Sequence, residues 1–157
     1  MISLRTAGLV DLPRIEELRA LAFESNRSIY RPIASATQAL PVARGTRVEV
    51  IATLVGVDVG VVGLYCDPSE PEVLCITGLG VVPSMRKRGV ARKLIAFALQ
   101  MARENCHTAV SLFTIRETGN VGLFEKMGFA VVTESEANWC RSETFDRLHE
   151  VTMRRSV

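Results

Sequence analysis

An apolar strand that leads through a basic, glycine-containing turn straight into a helix constrains this chain more than any other feature. Residues 73–82 are almost wholly apolar, which is typical of a strand buried on both faces. From residue 90 to residue 104 the apolar residues recur on one face, which predicts a helix with one buried side. The first amides of a helix lack internal partners and carry partial positive charge, so the turn before residue 90 predicts an anion site.

The turn itself concentrates positive charge. Five basic residues surround Gly89, namely Arg86, Lys87, Arg88, Arg92 and Lys93. A pyrophosphate is the ligand that such a turn favours. Taken singly, the same residues also fit a plain turn glycine and solvated surface charges, and the short pattern Arg86-x-x-Gly89-x-Ala91 arises by chance in roughly one chain in five to ten.

The bulk composition is that of an ordinary globular protein, with 48% hydrophobic and 23% charged residues in a chain of 157. We expect one domain that spans residues 1–157. The net charge of +2 argues against a nucleic-acid-binding protein, so the basic turn is local chemistry. Arg5 and Asp11 interrupt the start of the chain, and no apolar run approaches the ~18 residues of a membrane span, so we expect a cytoplasmic protein without a membrane partner.

The cysteines are widely spaced and form no C-x-x-C pair, so we expect free thiols: Cys66, Cys75, Cys106 and Cys140. A zinc site built from Cys106, His107, Cys140 and His149 lacks the spacing of metal ligands, and we expect no metal.

The remaining elements follow from periodicity and turn signals. We predict strands at residues 2–5, 48–55, 59–66, 109–114, 129–133 and 148–154, with a hairpin turn at residues 56–58. We predict a helix capped by Asp11 with Pro13 in its first turn, a short helix capped by Asn120 and ended by Gly128, and consider one between Ser35 and Leu40. Strand 73–82, helix 90–104 and strand 109–114 form one crossover, which predicts a parallel pair in an otherwise antiparallel sheet.

With these residues in place, the chain resembles the GNAT superfamily of acetyl-CoA-dependent N-acetyltransferases. The second signature is the segment Asn120-Val121-Gly122-Leu123-Phe124-Glu125-Lys126-Met127-Gly128-Phe129, which is similar to the family pattern N-x-x-A-x-x-x-Y-x-K-x-G-F. The resemblance is specific over residues 73–132 and covers only the order of elements elsewhere. It implies an α/β fold (α+β mixed sheet) of about six to seven mostly antiparallel strands, with one parallel β-α-β unit and flanking helices.

The resemblance also implies how acetyl-CoA is held. Main-chain amides between Arg86 and Ala91 would cradle the pyrophosphate, Val81 and Pro83 would bond the pantetheine arm, and the Val81 N–H would meet the thioester oxygen. Asn120 would bond the arm from its other side, and Lys126 would reach a phosphate. The full set of implied cofactor-binding residues is Val81, Val82, Pro83, Arg86, Lys87, Arg88, Gly89, Val90, Ala91, Arg92, Asn120, Phe124 and Lys126.

The proton-transfer residues are not evident. The family usually carries a tyrosine, the proposed acid, where this chain has Phe124, and phenylalanine cannot give a proton. If strand 73–82 alternates regularly, the face shared with Val81 carries no carboxylate. The candidates for the base are Glu72 and Glu49, each also compatible with a surface or ion-paired role, while nothing favours the two histidines His107 and His149 or the two tyrosines Tyr30 and Tyr65 as base or acid.

We therefore predict an N-acetyltransferase that moves an acetyl group from acetyl-CoA to a primary amine of a small molecule or peptide by direct attack in a ternary complex. Because no base is evident, an amine of low pKa fits better than a lysine-like amine. Two other interpretations stay open: a catalytically weak CoA-binding module, because of Phe124, and a dinucleotide-binding oxidoreductase, because Gly78 and Gly80 begin a G-x-G pattern. Homodimers are common in the family, so a homodimer is a candidate assembly.

Overall fold

The computed structural model describes residues 1–33 and 47–157, so the helix considered between Ser35 and Leu40 lies outside the described residues. The chain divides into two compact units. Unit 1 comprises Met1–Phe23, Ala43–Val110 and Val157, and unit 2 comprises Glu24–Val42 and Ser111–Ser156. No helix among the described residues is long and apolar enough to cross a membrane.

Nine strands and three α-helices form within the described residues. The strands are β1 (Ile2–Thr6), β2 (Arg31–Pro32), β3 (Arg47–Leu54), β4 (Val57–Tyr65), β5 (Val73–Val81), β6 (Ala109–Ile115), β7 (Ala130–Glu136), β8 (Cys140–Arg141) and β9 (His149–Ser156). The helices are α1 (Leu12–Phe23), α2 (Val90–Glu104) and α3 (Asn120–Lys126). The bounds of α2 are those predicted, whereas β2 and β8 are too short to give a periodic signal and were not predicted.

Seven strands follow the order β1-β3-β4-β5-β6-β9-β7, and β2 pairs with β8 in a separate two-stranded sheet. The β5–β6 pair, joined by the α2 crossover, is parallel, whereas β1–β3, β3–β4, β4–β5 and β7–β9 are antiparallel. The predicted mixed α/β sheet with one parallel pair is therefore confirmed.

In unit 1, helices cover both faces of the β3–β4–β5 ladder. Ile15 and Leu18 of α1 pack with Ile51 and Val61 on one face. A Cβ atom built on Gly60 would lie 2.9 Å from Val90 of α2, and one built on Gly80 would lie 2.7 Å from the Cβ of Ala22 in α1. These two glycines therefore let α2 and α1 approach the strands closely.

Two predicted details of unit 1 are wrong. The β3–β4 turn is Val55-Gly56, both at positive φ, rather than residues 56–58, because Asp58 belongs to β4 and its Oδ1 accepts a hydrogen bond from Thr53 Oγ1 at 3.1 Å. Asp11 does not begin α1: it ends a 3-10 turn, and its Oδ2 accepts the Gly8 N–H at 2.9 Å. The hydrogen bond from Arg5, followed by the one from Gly8, holds the pKa of Asp11 below its usual range.

In unit 2, α3 begins and ends on glycines. The N-cap is Gly119 rather than the predicted Asn120, which is the first helical residue. At the other end the Phe129 N–H bonds the Phe124 carbonyl at 3.1 Å and the Gly128 N–H bonds the Glu125 carbonyl at 3.0 Å, with Gly128 at φ +89°. This pair of bonds is the Schellman motif, so the predicted left-handed end at Gly128 is confirmed.

Candidate functional site

The junction between β5 and α2 lies wholly within unit 1 and is built mainly from main chain. After β5 ends at Val81, a 3-10 turn at Pro83–Met85 leads to Gly89, which caps α2 at φ +84°. A Cβ atom on Gly89 would meet nothing within 4 Å, so the glycine is needed for its left-handed conformation and not for space within the protein. Lys87 also has a positive φ, of 63°.

The amides of this junction are available to a ligand. The first main-chain bond of α2 is donated by Lys93 to the Gly89 carbonyl at 3.0 Å. Among the hydrogen bonds that residues 1–33 and 47–157 form, none takes up the amides of residues 87–92. The side chains of residues 86–89, 92 and 93 are exposed, so solvent and an anion can reach these donors.

Arg86 differs from the other basic residues of the turn because its guanidinium bonds main chain. Its Nη2 donates to the Ala22 carbonyl at the end of α1 at 2.7 Å, and its Nε lies 3.4 Å from the Val81 carbonyl. The side chain therefore ties the end of α1 to the end of β5, and its charge stays beside the junction.

The regular alternation of β5 is interrupted before Val81. Gly63 of β4 faces Thr77 and Val61 faces Gly80, so Gly78 and Leu79 together face one β4 residue. Gly78 sits at φ +57°, and its carbonyl accepts Arg19 Nε at 3.0 Å. Upstream of this bulge, Val81 consequently shares its face with Leu74 and Ile76, and the prediction that it shares a face with Val73, Cys75 and Thr77 is wrong.

The same register fixes the direction of the Val81 peptide groups. Val81 faces Gly60, and the next bond along runs from the Val82 N–H to the Val59 carbonyl at 2.9 Å. In an antiparallel ladder this pattern makes Val81–Gly60 a pair that exchanges no hydrogen bonds with each other. The N–H and carbonyl of Val81 therefore point away from β4, as a donor for a ligand must.

The two carboxylates predicted as bases are differently placed. Glu49 is only 12% exposed and accepts hydrogen bonds from both Arg19 (2.6 and 3.1 Å) and Arg47 (2.5 Å). Glu72 is exposed just before β5, at the end opposite Val81, which corresponds to about 30 Å of strand. One carboxylate is thus occupied by two guanidinium groups and the other lies far from the junction.

The other proton-transfer candidates divide between the units. His107 Nδ1 lies 3.0 Å from the Pro71 carbonyl, at the same far end of β5 as Glu72. Burial raises the pKa of Tyr65, in unit 1, and that of Tyr30, in unit 2, which disfavours both as anions.

Unit 2 places the second signature on α3. Asn120 is half-buried at its start and Lys126 is exposed at its end. Phe124 is 8% exposed and packs edge-to-face on Phe129, with ring centroids 6.2 Å apart. Its ring is therefore a core aromatic that closes the Schellman motif.

Sequence reasoning missed a histidine–carboxylate pair in unit 2. His149 begins β9, and its ring Nδ1 lies 3.1 Å from Glu117 Oε2 while its main-chain N–H donates to Glu117 Oε1 at 2.6 Å. Nearby, Trp139 meets the rings of Tyr30 and Phe113 edge-to-face and donates from Nε1 to Glu150 at 2.8 Å. No short-range motif signals these contacts, because the partners are far apart in sequence.

The cysteines are all free thiols, as predicted. In the described part of the chain, no three His, Cys, Asp or Glu side chains are grouped in a way that could hold a metal ion.

Comparison with known families decides what this arrangement belongs to. The model of the Acetyltransferase (GNAT) family matches residues 12–129, which is more than half of the chain. The chain belongs to the GNAT acetyltransferase family. The predicted resemblance is thereby confirmed, whereas a search of curated proteins found no match.

Solved structures of this GNAT chain's neighbours share its fold at low identity. The ribosomal-protein-S18-alanine N-acetyltransferase from Escherichia coli has a TM-score of 0.77 at 15% identity, covering 100% of this chain and 94% of that one. A protein from Bacillus anthracis in complex with acetyl coenzyme A has a TM-score of 0.72 at 16% identity, covering both chains fully (100%). A Bacillus subtilis acetyltransferase in complex with CoA has a TM-score of 0.72 at 14% identity, covering 100% and 99%.

Proposed function

We propose that this protein is an N-acetyltransferase that transfers the acetyl group of acetyl-CoA to a primary amine in a ternary complex. The observation that carries the proposal is the β5–α2 junction, where the amides of residues 87–92 have no acceptor among the described residues and face solvent. Six adjacent donors at the start of a helix, ringed by basic side chains, fit a pyrophosphate. Two neighbouring structures that hold CoA or acetyl-CoA support this ligand.

In this proposal the main chain does most of the donor-side chemistry. The amides between Arg86 and Ala91 hold the pyrophosphate, and Val81 with Pro83 holds the pantetheine arm. The Val81 N–H, which points away from β4, donates to the thioester oxygen as negative charge develops there. A single donor of this kind is typically worth a few kcal/mol in the transition state. Asn120 and Lys126 of α3 complete the proposed set.

The acceptor in this proposal is an amine of low pKa. A lysine-like amine with a pKa near 10.4 is only about one part in a thousand neutral at pH 7.4, whereas an α-amine near 7.8 is roughly a quarter neutral. One structural neighbour is named for acetylating an alanine, which supports an α-amine as the first compound to test. A cytoplasmic, single-domain protein that forms homodimers remains the broader prediction.

Phe124 favours a second candidate, a CoA-binding module with little catalytic activity. The buried ring cannot protonate the departing thiolate. Catalysis remains the first proposal because a thiol with a pKa of about 8.5 leaves as a thiolate at little cost near neutral pH.

The test has two stages, the first of which measures binding. Thermal unfolding is followed with CoA, acetyl-CoA or NAD, and both CoA species are expected to raise the midpoint while NAD does not. Gly89→Asp and Gly89→Asn form a matched pair, because both side chains tolerate a positive φ and only aspartate adds a negative charge. We expect Gly89→Asp to weaken CoA binding at least ~10-fold relative to Gly89→Asn; equal affinities would refute the cradle.

The second stage measures catalysis. Release of the CoA thiol is followed with a panel of α-amines and lysine-like amines. Turnover on an amine establishes the transferase, whereas CoA binding without turnover on any amine would favour the CoA-binding module. A midpoint that rises with NAD and not with CoA would overturn both.

A further inference from the structure

We propose that His149 is the general base for the acceptor amine and that Glu117 is its positioning residue. This inference rests on the proposed function and supplies the group that sequence reasoning could not identify. It is carried by the paired contacts of one carboxylate with both the ring and the main chain of a single histidine.

The Glu117 carboxylate holds His149 at two points. Oε2 lies 3.1 Å from the ring Nδ1, and Oε1 accepts the main-chain N–H at 2.6 Å. A carboxylate accepts only, so the ring must carry its hydrogen on Nδ1. The other ring nitrogen, Nε2, is then the basic one and is free to accept a proton.

The exposures of the two side chains suit these roles. Glu117 is 11% exposed and is therefore held in place, whereas His149 is 39% exposed and can be reached by a substrate. A nearly buried carboxylate that fixes the tautomer of an accessible imidazole is the arrangement in which histidine acts as a base.

The surrounding charges favour a proton on this ring. Across the ladder, Glu136 of β7 faces His149, and β6 carries no titratable side chain. In the turn before α3, Arg116 is paired with Glu134 of β7. Glu150, next in β9, accepts from Trp139. The acidic groups Glu117 and Glu136 thus stand beside the ring, while the nearest cation on these elements already has an acidic partner.

The proposed step is balanced as follows. Nε2 of His149 removes one proton from the ammonium form of the acceptor, which gives a neutral amine and an imidazolium. The amine nitrogen attacks the thioester carbonyl carbon, forming the C–N bond as the C–S bond breaks. The second proton of the nitrogen passes to the departing CoA thiolate, and the imidazolium returns its proton to solvent.

The experiment compares His149→Ala, His149→Gln and Glu117→Gln with His107→Ala, which removes the only other histidine. CoA-induced thermal stabilisation is measured first and is expected to be unchanged in all four variants, which also shows that they fold. We expect kcat/KM for an α-amine to fall ~100-fold in both His149 variants and ~10-fold in Glu117→Gln, and to stay at the wild-type value in His107→Ala.

Two further readouts separate a base from a structural histidine. Added imidazole should restore part of the rate of His149→Ala, because the exposed site admits a small base. The wild-type profile of kcat/KM should lose rate on acidification over the pH range in which imidazoles titrate, and this limb should vanish in His149→Gln.

The outcomes are distinguishable. A wild-type enzyme that turns over while His149→Ala keeps its rate would overturn this inference and leave the proposed transferase intact. A reduced rate in His149→Ala with no imidazole rescue and an unchanged acid limb would assign His149 a structural role and overturn it as well. Absence of turnover in the wild type across the amine panel would overturn both proposals.

Discussion

The β5–α2 junction of unit 1 and the His149–Glu117 pair of unit 2 are built from different parts of the chain. The junction uses amides and carbonyls of consecutive residues, and its geometry is set by Gly89 and by the bulge at Gly78. The pair uses two side chains that are 32 residues apart in the sequence. A site made of main chain tolerates many side chains but few changes of backbone, and the reverse holds for a site made of side chains.

The largest expected effect comes from crowding the backbone of unit 1. Gly80→Ala places a Cβ atom 2.7 Å from the Cβ of Ala22, which is a rigid neighbour on α1. We expect the free energy of unfolding to fall by about 1–3 kcal/mol and CoA affinity to fall with it. Urea denaturation and calorimetric titration with CoA measure the two quantities.

The matched control for that change is Gly122→Ala in α3 of unit 2. A Cβ atom on Gly122 would meet nothing within 4 Å, and alanine favours a helix. We expect a gain of about 0.5–1 kcal/mol. If both substitutions shift stability by the same amount and sign, backbone crowding is not what distinguishes the two regions.

The contrast also explains how much the sequence could reveal. The bounds of α2 and the parallel crossover were predictable because apolar periodicity and Gly89 are local signals. The bulge at Gly78 was not, because strict alternation was assumed along β5, and this placed Val81 on the wrong face. The His149–Glu117 pair left no signal at all, since two distant residues meet only after β9 and the turn before α3 are formed.

Arg86 links the two kinds of construction, because its side chain organises main chain. Arg86→Met keeps the apolar stem but removes the donors to the Ala22 and Val81 carbonyls. We expect CoA affinity to fall about 10-fold, from lost charge and a looser junction together.

The control is Arg103→Met, which removes the same charge from the exposed far end of α2. Titration calorimetry at two salt concentrations measures both variants. If Arg103→Met weakened CoA binding as much as Arg86→Met, the effect would be one of net charge, and the tie between α1 and β5 would carry no weight.

The smallest effect is expected at Phe124, where a hydroxyl can be added on α3. Phe124→Tyr restores the residue type that the family usually carries, yet the ring is 8% exposed and packs on Phe129. Because a thiolate leaves readily near neutral pH, we expect kcat to change by less than about threefold. Phe124→Leu, which removes the ring contact but adds no hydroxyl, controls for packing. A kcat that rose ~10-fold or more in Phe124→Tyr alone would mean that protonation of the thiolate limits the wild-type reaction, and the base at His149 would then be only half of the missing chemistry.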